Sequence, residues 1–389
     1  TAISSLKLRA GWGNSAGFAT GYPVANNIDG VARNFSDVNG VVYASQNTNS
    51  QLGNPNLKPE LFNEIEIGIE TQLVDNRIIL DASYFDRTNT DLITQSPIAN
   101  STGYLTTFTN IGRMEGNGFE FDLGLHIVKN NGDGFNWRMN TNFTTSKMIV
   151  KDLGDSNNLT IAGFTNLGNQ AIVGEQLGVM VGNRVLRDVN GNLVVNSAGA
   201  YEIEEGNFII GNPNPNYILN NSSTFSYKNI NLSFLFSYTD GGDIYSQTIS
   251  TLLARGLTTD TSDRLGTYIL PGVYADGTPN TTQINASAYY FDSIGLGADE
   301  LRVYDASVIR LQEVSLGYDL PKEYLKNSPF GAITFTFSGN NLYYNAFNTP
   351  KGVNFDPNVI GTGVGNGRGF DFLNGPTSRR FGFSLKATF

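Results

Sequence analysis

The 389 residues contain no cysteine, which removes disulfides, thiolate nucleophiles and cysteine-held metals together. Histidine is nearly absent too, with His126 alone. Charged side chains make up 15% of the chain, against about 25% in an ordinary soluble protein. Lys and Arg number 25 and Asp and Glu 35, a net charge of −10, whereas a nucleic-acid binder needs clustered cations to neutralise phosphates. No run of about 18 apolar residues occurs, so a transmembrane helix is excluded and any span must be built from strands. Thr1 is followed by no basic leader and no apolar signal core, and the sequence reads as one that begins within a longer protein.

Glycine (44 residues) and aromatics (12%) are abundant, as suits tight turns between strands that are apolar on one face. Period-two alternation predicts ten strands near residues 5–13, 61–73, 77–88, 104–128, 135–150, 216–228, 230–241, 307–320, 331–344 and 378–389. The last is the clearest, with Phe381, Phe383, Leu385, Ala387 and Phe389 on one face and Arg380, Gly382, Ser384, Lys386 and Thr388 on the other. Ile65, Ile67 and Ile69 alternate with Glu64, Glu66, Gly68 and Glu70; Phe119, Phe121 and Leu123 alternate with Glu120, Asp122 and Gly124. Carboxylates at Glu64, Glu66, Glu70, Glu120 and Asp122 suit a wet lumen better than a dry core, so they are expected to line one.

Loop lengths sharpen the reading. Residues 74–76, 129–134, 229 and 321–330 form short connections, while 14–60, 89–103, 151–215, 242–306 and 345–377 form long ones. Strict alternation of short and long is the pattern of a transmembrane barrel, with short periplasmic turns and long extracellular loops. The expected fold is therefore all-β, a transmembrane antiparallel β-barrel. Loops of this length are expected to be folded and functional. Their aromatics Tyr289, Tyr290, Phe291, Phe370 and Phe372 are candidate ligand-stacking groups, although rings in loops more commonly hold the loop together.

Three patterns imitate known chemistry. Gly13-Asn14-Ser15-Ala16-Gly17 matches a hydrolase nucleophile elbow, but no helical pattern follows and the lone histidine sits in an alternating strand. Residues 361–369 are glycine-rich without the spacing of a phosphate cradle. Asp188-Val189-Asn190-Gly191-Asn192 starts like a calcium loop but lacks its closing glutamate, and a hairpin turn explains it equally well. No catalytic residue and no resident metal or cofactor is expected.

Several segments, taken in order, resemble the SusC/RagA-type TonB-dependent outer-membrane transporters: NPNLKPE at 54–60, NRIILDASYFDRTNTDL at 76–92 and NIGRMEGNGFEFDL at 110–123. They continue with IGNPNPNY at 210–217, YTDGGDIY at 238–245, LQEVSLGYDLP at 311–321, Asn340-Asn341-Leu342, DPNV at 356–359 and GPTSRRFGFSLKATF at 375–389. The terminal Phe389 is similar to the aromatic end of an outer-membrane assembly signal. The resemblance implies a plugged barrel of about 22 strands, of which residues 1–389 would supply the last ten, the plug and earlier strands lying upstream. It implies a place in the bacterial outer membrane among its lipids, and active import of oligosaccharides or peptides. The partners implied are a SusD-like surface lipoprotein and a TonB complex acting through the upstream part. A passive porin or structural barrel component is the alternative.

Overall fold

The computed structural model describes residues 2–19, 21, 23–26, 28–48, 50–130, 134–164, 166–358 and 367–389. Ten strands form one sheet: β1 Ile3–Gly17, β2 Glu60–Leu73, β3 Ile78–Thr90, β4 Arg113–Val128, β5 Asn136–Asp152, β6 Tyr217–Tyr227, β7 Ile230–Asp240, β8 Val308–Asp319, β9 Ala332–Asn345 and β10 Arg380–Thr388. They pair in chain order, each antiparallel to the next. This meander, called the wall below, matches the ten expected segments and their all-β class.

One expected strand divides. The stretch 104–128 breaks at Gly112, whose φ of 98° is a left-handed conformation that favours glycine. Thr106–Asn110 instead pairs with Ile93–Pro97 and Gln51–Leu52 in a small separate sheet, and the wall strand begins at Arg113.

The tight turns lie at one end of the wall. Val74, Asp75 and Asn76 all have positive φ, as does Lys228 in the two-residue link between β6 and β7, geometry that matches the twist of paired strands. The long connections leave from the other end, and much of their described length folds into a second layer. That layer holds a four-stranded sheet (Asn158–Phe164, Leu167–Ile172, Val179–Val185, Ile203–Gly211), helix α1 Gln247–Ala254 and a π-helical segment, Ala288–Gly295.

The buried apolar clusters also lie at this end. One gathers Ile244, Ile249, Leu253 and Phe355; another Met180, Tyr245 and Phe370; a third Val195, Leu270 and Ile284. The wall is the reverse, for its large apolar groups are exposed: Leu8 at 74%, Trp12 at 72% and Phe383 at 70%. A contiguous apolar face of that extent marks a surface that meets lipid or protein.

Candidate functional site

Cross-strand register keeps the alternation in phase from strand to strand. Glu70 faces Lys7 on β1 and Asp81 on β3, and Glu64 faces Gly13 and Arg87. The expected carboxylates therefore share one face with basic partners that alternation in a single strand does not reveal. Arg9 is the hub: its guanidinium reaches Glu70 at 2.8 Å, Asp81 at 2.7 Å and Glu66 at 3.4 Å. Lys7 adds a second contact to Glu70 at 2.9 Å, and Arg87 donates to Glu64 at 2.6 Å. Gly68 stands opposite Arg9, and a Cβ there would lie 2.6 Å from its Nε. The glycine makes room for the guanidinium.

Asp122 accepts hydrogen bonds from Asn140, at 3.0 Å, and Asn142. Together with Glu120, Asp81 and Arg9 it lines a cavity of about 270 Å³ on the polar face. Farther along, the polar face carries hydroxyls and amides, among them Asn220, Ser222, Thr224, Ser233 and Ser237. Fixed dipoles and charges of this kind, arrayed along a wall, are how pores and transporters discriminate without covalent chemistry.

The opposite face carries two aromatic groups. Near the long-loop end, Tyr217 packs on Phe143 and Tyr238, and Phe347 stacks on Tyr238. Near the turn end, Trp137 stacks on Phe225 with Phe135 beside it. Tyr217 and Phe225 are eight residues apart on β6, which is roughly 27 Å along a strand. At a tilt of about 40° that becomes roughly 20 Å of height, close to the roughly 25 Å apolar band between the aromatic girdles of outer-membrane barrels.

The loop layer is tied to the wall by a buried ion pair. Arg310 on β8 forms a two-pronged contact with Asp356, one prong at 2.8 Å, and the two side chains are 8% and 0% exposed. Thr377 and the backbone N–H of Asn358 also donate to Asp356. Burial opposes the charged carboxylate, but these donors outweigh it and hold Asp356 below the usual carboxylate range. An extra residue on β8, Gln312, shifts the pairing there. Without that bulge Arg310 would fall in phase with Val314 and Leu316 on the apolar face; with it, Arg310 opposes Ser237 on the polar face.

The loop aromatics fall into two groups. Tyr289 stacks on Tyr268 at 4.6 Å with Tyr290 edge-on at 4.9 Å. The Tyr290 hydroxyl donates to the Asp260 carbonyl at 2.8 Å, and burial pushes its pKa up to about 12. Phe291 lies under the Arg255 guanidinium. Phe370 and Phe372 stack on each other and meet Tyr245 at a tilt, but Phe370 is 1% exposed, so its ring packs the layer from inside. Phe372 is the exposed member of that pair.

The three imitations take ordinary places. Ser15 lies near the long-loop end of β1, paired with Phe62, while His126 lies near the turn end of β4; the two are at opposite ends of the wall. Asp188 closes its own turn, accepting from the N–H groups of Asn190 and Asn192 and from the Asn192 amide, and these bonds lower its pKa. The glycine-rich stretch 361–369 lies mostly outside the described residues.

A continuous meander with one apolar face, one charged face and a folded loop layer at one end defines the wall of an outer-membrane-type β-barrel. Residues 2–180 match the family model described as TonB dependent receptor-like, beta-barrel. It is 28% identical over its whole length to TonB-dependent receptor P26 of Formosa agariphila and 26% identical to TonB-dependent receptor P3 of the same organism. The chain spans 40% of the length of each. Among solved structures, the RagAB peptide transporter superposes over all of this chain and 41% of its own, with a TM-score of 0.67 at 17% identity. The "open-open" state of the RagAB peptide importer gives 0.69, a likeness of fold.

Proposed function

We propose that the chain is the C-terminal part of the barrel of an active importer, with a plug and earlier strands supplied by the upstream protein. A TonB complex pulling on that upstream part would open the pathway, and a SusD-like lipoprotein would cover the loop layer. The cargo is an oligosaccharide or a peptide. The observation that carries the reading is the two-faced wall: an exposed apolar face sized to a bilayer, backed by the Arg9 network of fixed charges on the other side. The polar face sorts solutes by hydrogen bonding and charge, and the folded loops supply the first contact outside.

The test is uptake of labelled oligosaccharide and peptide pools by cells carrying the full-length receptor, with and without an uncoupler of the inner-membrane proton gradient. Import that stops with the uncoupler supports the proposal. Uptake that persists unchanged would instead make the protein a passive porin.

A further inference from the structure

Where the polar face of β5 meets the loop layer, a cavity of about 220 Å³ is lined by Ser146, Met148, Ile161, Gln176, Leu177 and Arg368, among others. Ser146 and Met148 continue the row of Asn140 and Asn142, so the cavity opens on the side that carries the Arg9 network. The turn beneath it is pinned to β5 by hydrogen bonds from Val150 N to Glu175 O and from Leu177 N to Met148 O, both 2.9 Å.

Arg368 is held in place through its backbone. The fully buried Asn169 accepts from the Arg368 N–H at 2.9 Å and donates to its carbonyl at 3.1 Å. The guanidinium itself is exposed and forms no ion pair or side-chain hydrogen bond among the described residues. It is therefore a positioned cation whose forked donors have no partner among the described residues, the geometry that suits a carboxylate. Beside it stand an amide, a hydroxyl and an apolar floor of Met148, Ile161 and Leu177. No aromatic ring lines the cavity, so it lacks the platform on which a sugar ring would stack. Its volume is below the roughly 300 Å³ at which pockets enclose a whole small ligand; it fits one end of a longer molecule.

We propose that this cavity binds the C-terminal residue of a peptide, with Arg368 and Gln176 on the carboxylate and Met148, Ile161 and Leu177 around an aliphatic side chain. This deepens the import reading and rests on it, since it selects peptide over glycan as the cargo. The test is equilibrium binding of a fluorescent tetrapeptide ending in leucine to the detergent-solubilised full-length receptor, as the free acid and as the carboxamide. The acid should bind at least about tenfold more tightly. Arg368→Gln should abolish that difference while leaving the amide unchanged, and Arg368→Lys should keep part of it.

Equal binding of acid and amide, binding of neither, or a preference that survives Arg368→Gln would each overturn the proposal. So would displacement of the acid from the native receptor by a neutral tetrasaccharide. The two readings fail separately. Uptake insensitive to the uncoupler removes active import and leaves the binding preference in place, whereas energised uptake without a carboxylate preference removes only the peptide site.

Discussion

Phe383 and Phe370 are the same side chain in short stretches of strand, yet one stands 70% exposed on the wall and the other 1% exposed in the loop layer. The wall is stabilised by its ladder of backbone hydrogen bonds and leaves its apolar side chains for a surrounding apolar phase. The loop layer works as a soluble protein does, sealing Ile249, Met180 and Phe370 away from water around a capped helix. Ser246 caps that helix by accepting from Ile249 N while donating to Asp371. One chain thus follows two burial rules, and the boundary between them is crossed by the Arg310–Asp356 pair.

The comparison can be broken first at that boundary. Arg310→Met leaves the Asp356 carboxylate buried without its cation, and the expected cost is about 3–5 kcal/mol. It should appear as rapid proteolysis of the segment 346–379 in an assembled barrel. Arg310→Met combined with Asp356→Leu should recover much of the loss. A single variant as resistant as the native protein would show that the pair does not hold the layers together.

Truncating the two phenylalanines tests the burial rules directly. Phe370→Ala should cost about 3–5 kcal/mol as a core cavity, while Phe383→Ala should cost under about 1 kcal/mol, because lipid tails fill the space. Equal losses in thermal unfolding of the detergent-solubilised protein would erase the distinction. Charge placement sharpens it further. Phe337→Arg on the apolar face should hinder assembly by about 2–4 kcal/mol near mid-bilayer, and Thr336→Arg on the other face of β9 should be tolerated. Heat-modifiable gel mobility reads both.

Acid should loosen the boundary before the wall. The folded-state pKa of Asp356 lies below its ordinary 3.8. The stability it contributes is therefore complete above that value and lost as pH falls through the folded value. Loop proteolysis should rise only below pH 3.8, and Asp356→Asn should remove the dependence. The smallest effect belongs to the wall's own ion pairs. Arg9→Gln, in a solvated network, should leave stability nearly unchanged and shift ionic selectivity instead.

Much of this was legible in the residues. Alternation placed Glu64, Glu66, Glu70, Glu120 and Asp122 on one face, and register unites the first three around Arg9 and Arg87. Their basic partners escaped notice because Lys7 and Arg9, although inside the expected strand 5–13, meet the carboxylates only through the register of β1 against β2, which alternation within one strand does not fix. Phe370 and Phe372 were equivalent as loop aromatics, since nothing local distinguishes a ring that packs inward from one that faces out.

The sequence by itself determined the ten strands, their two faces and the parity of their connections. Each follows from period-two spacing and turn chemistry within a few residues. Tertiary structure alone decided three things: that 106–110 leaves the wall, that Asn169 fixes Arg368 from 199 residues away in the chain, and that Arg310 faces the polar side. The last turns on one inserted residue at Gln312, because a one-residue shift inverts every side chain beyond it, and only pairing with β7 reveals where the shift occurs.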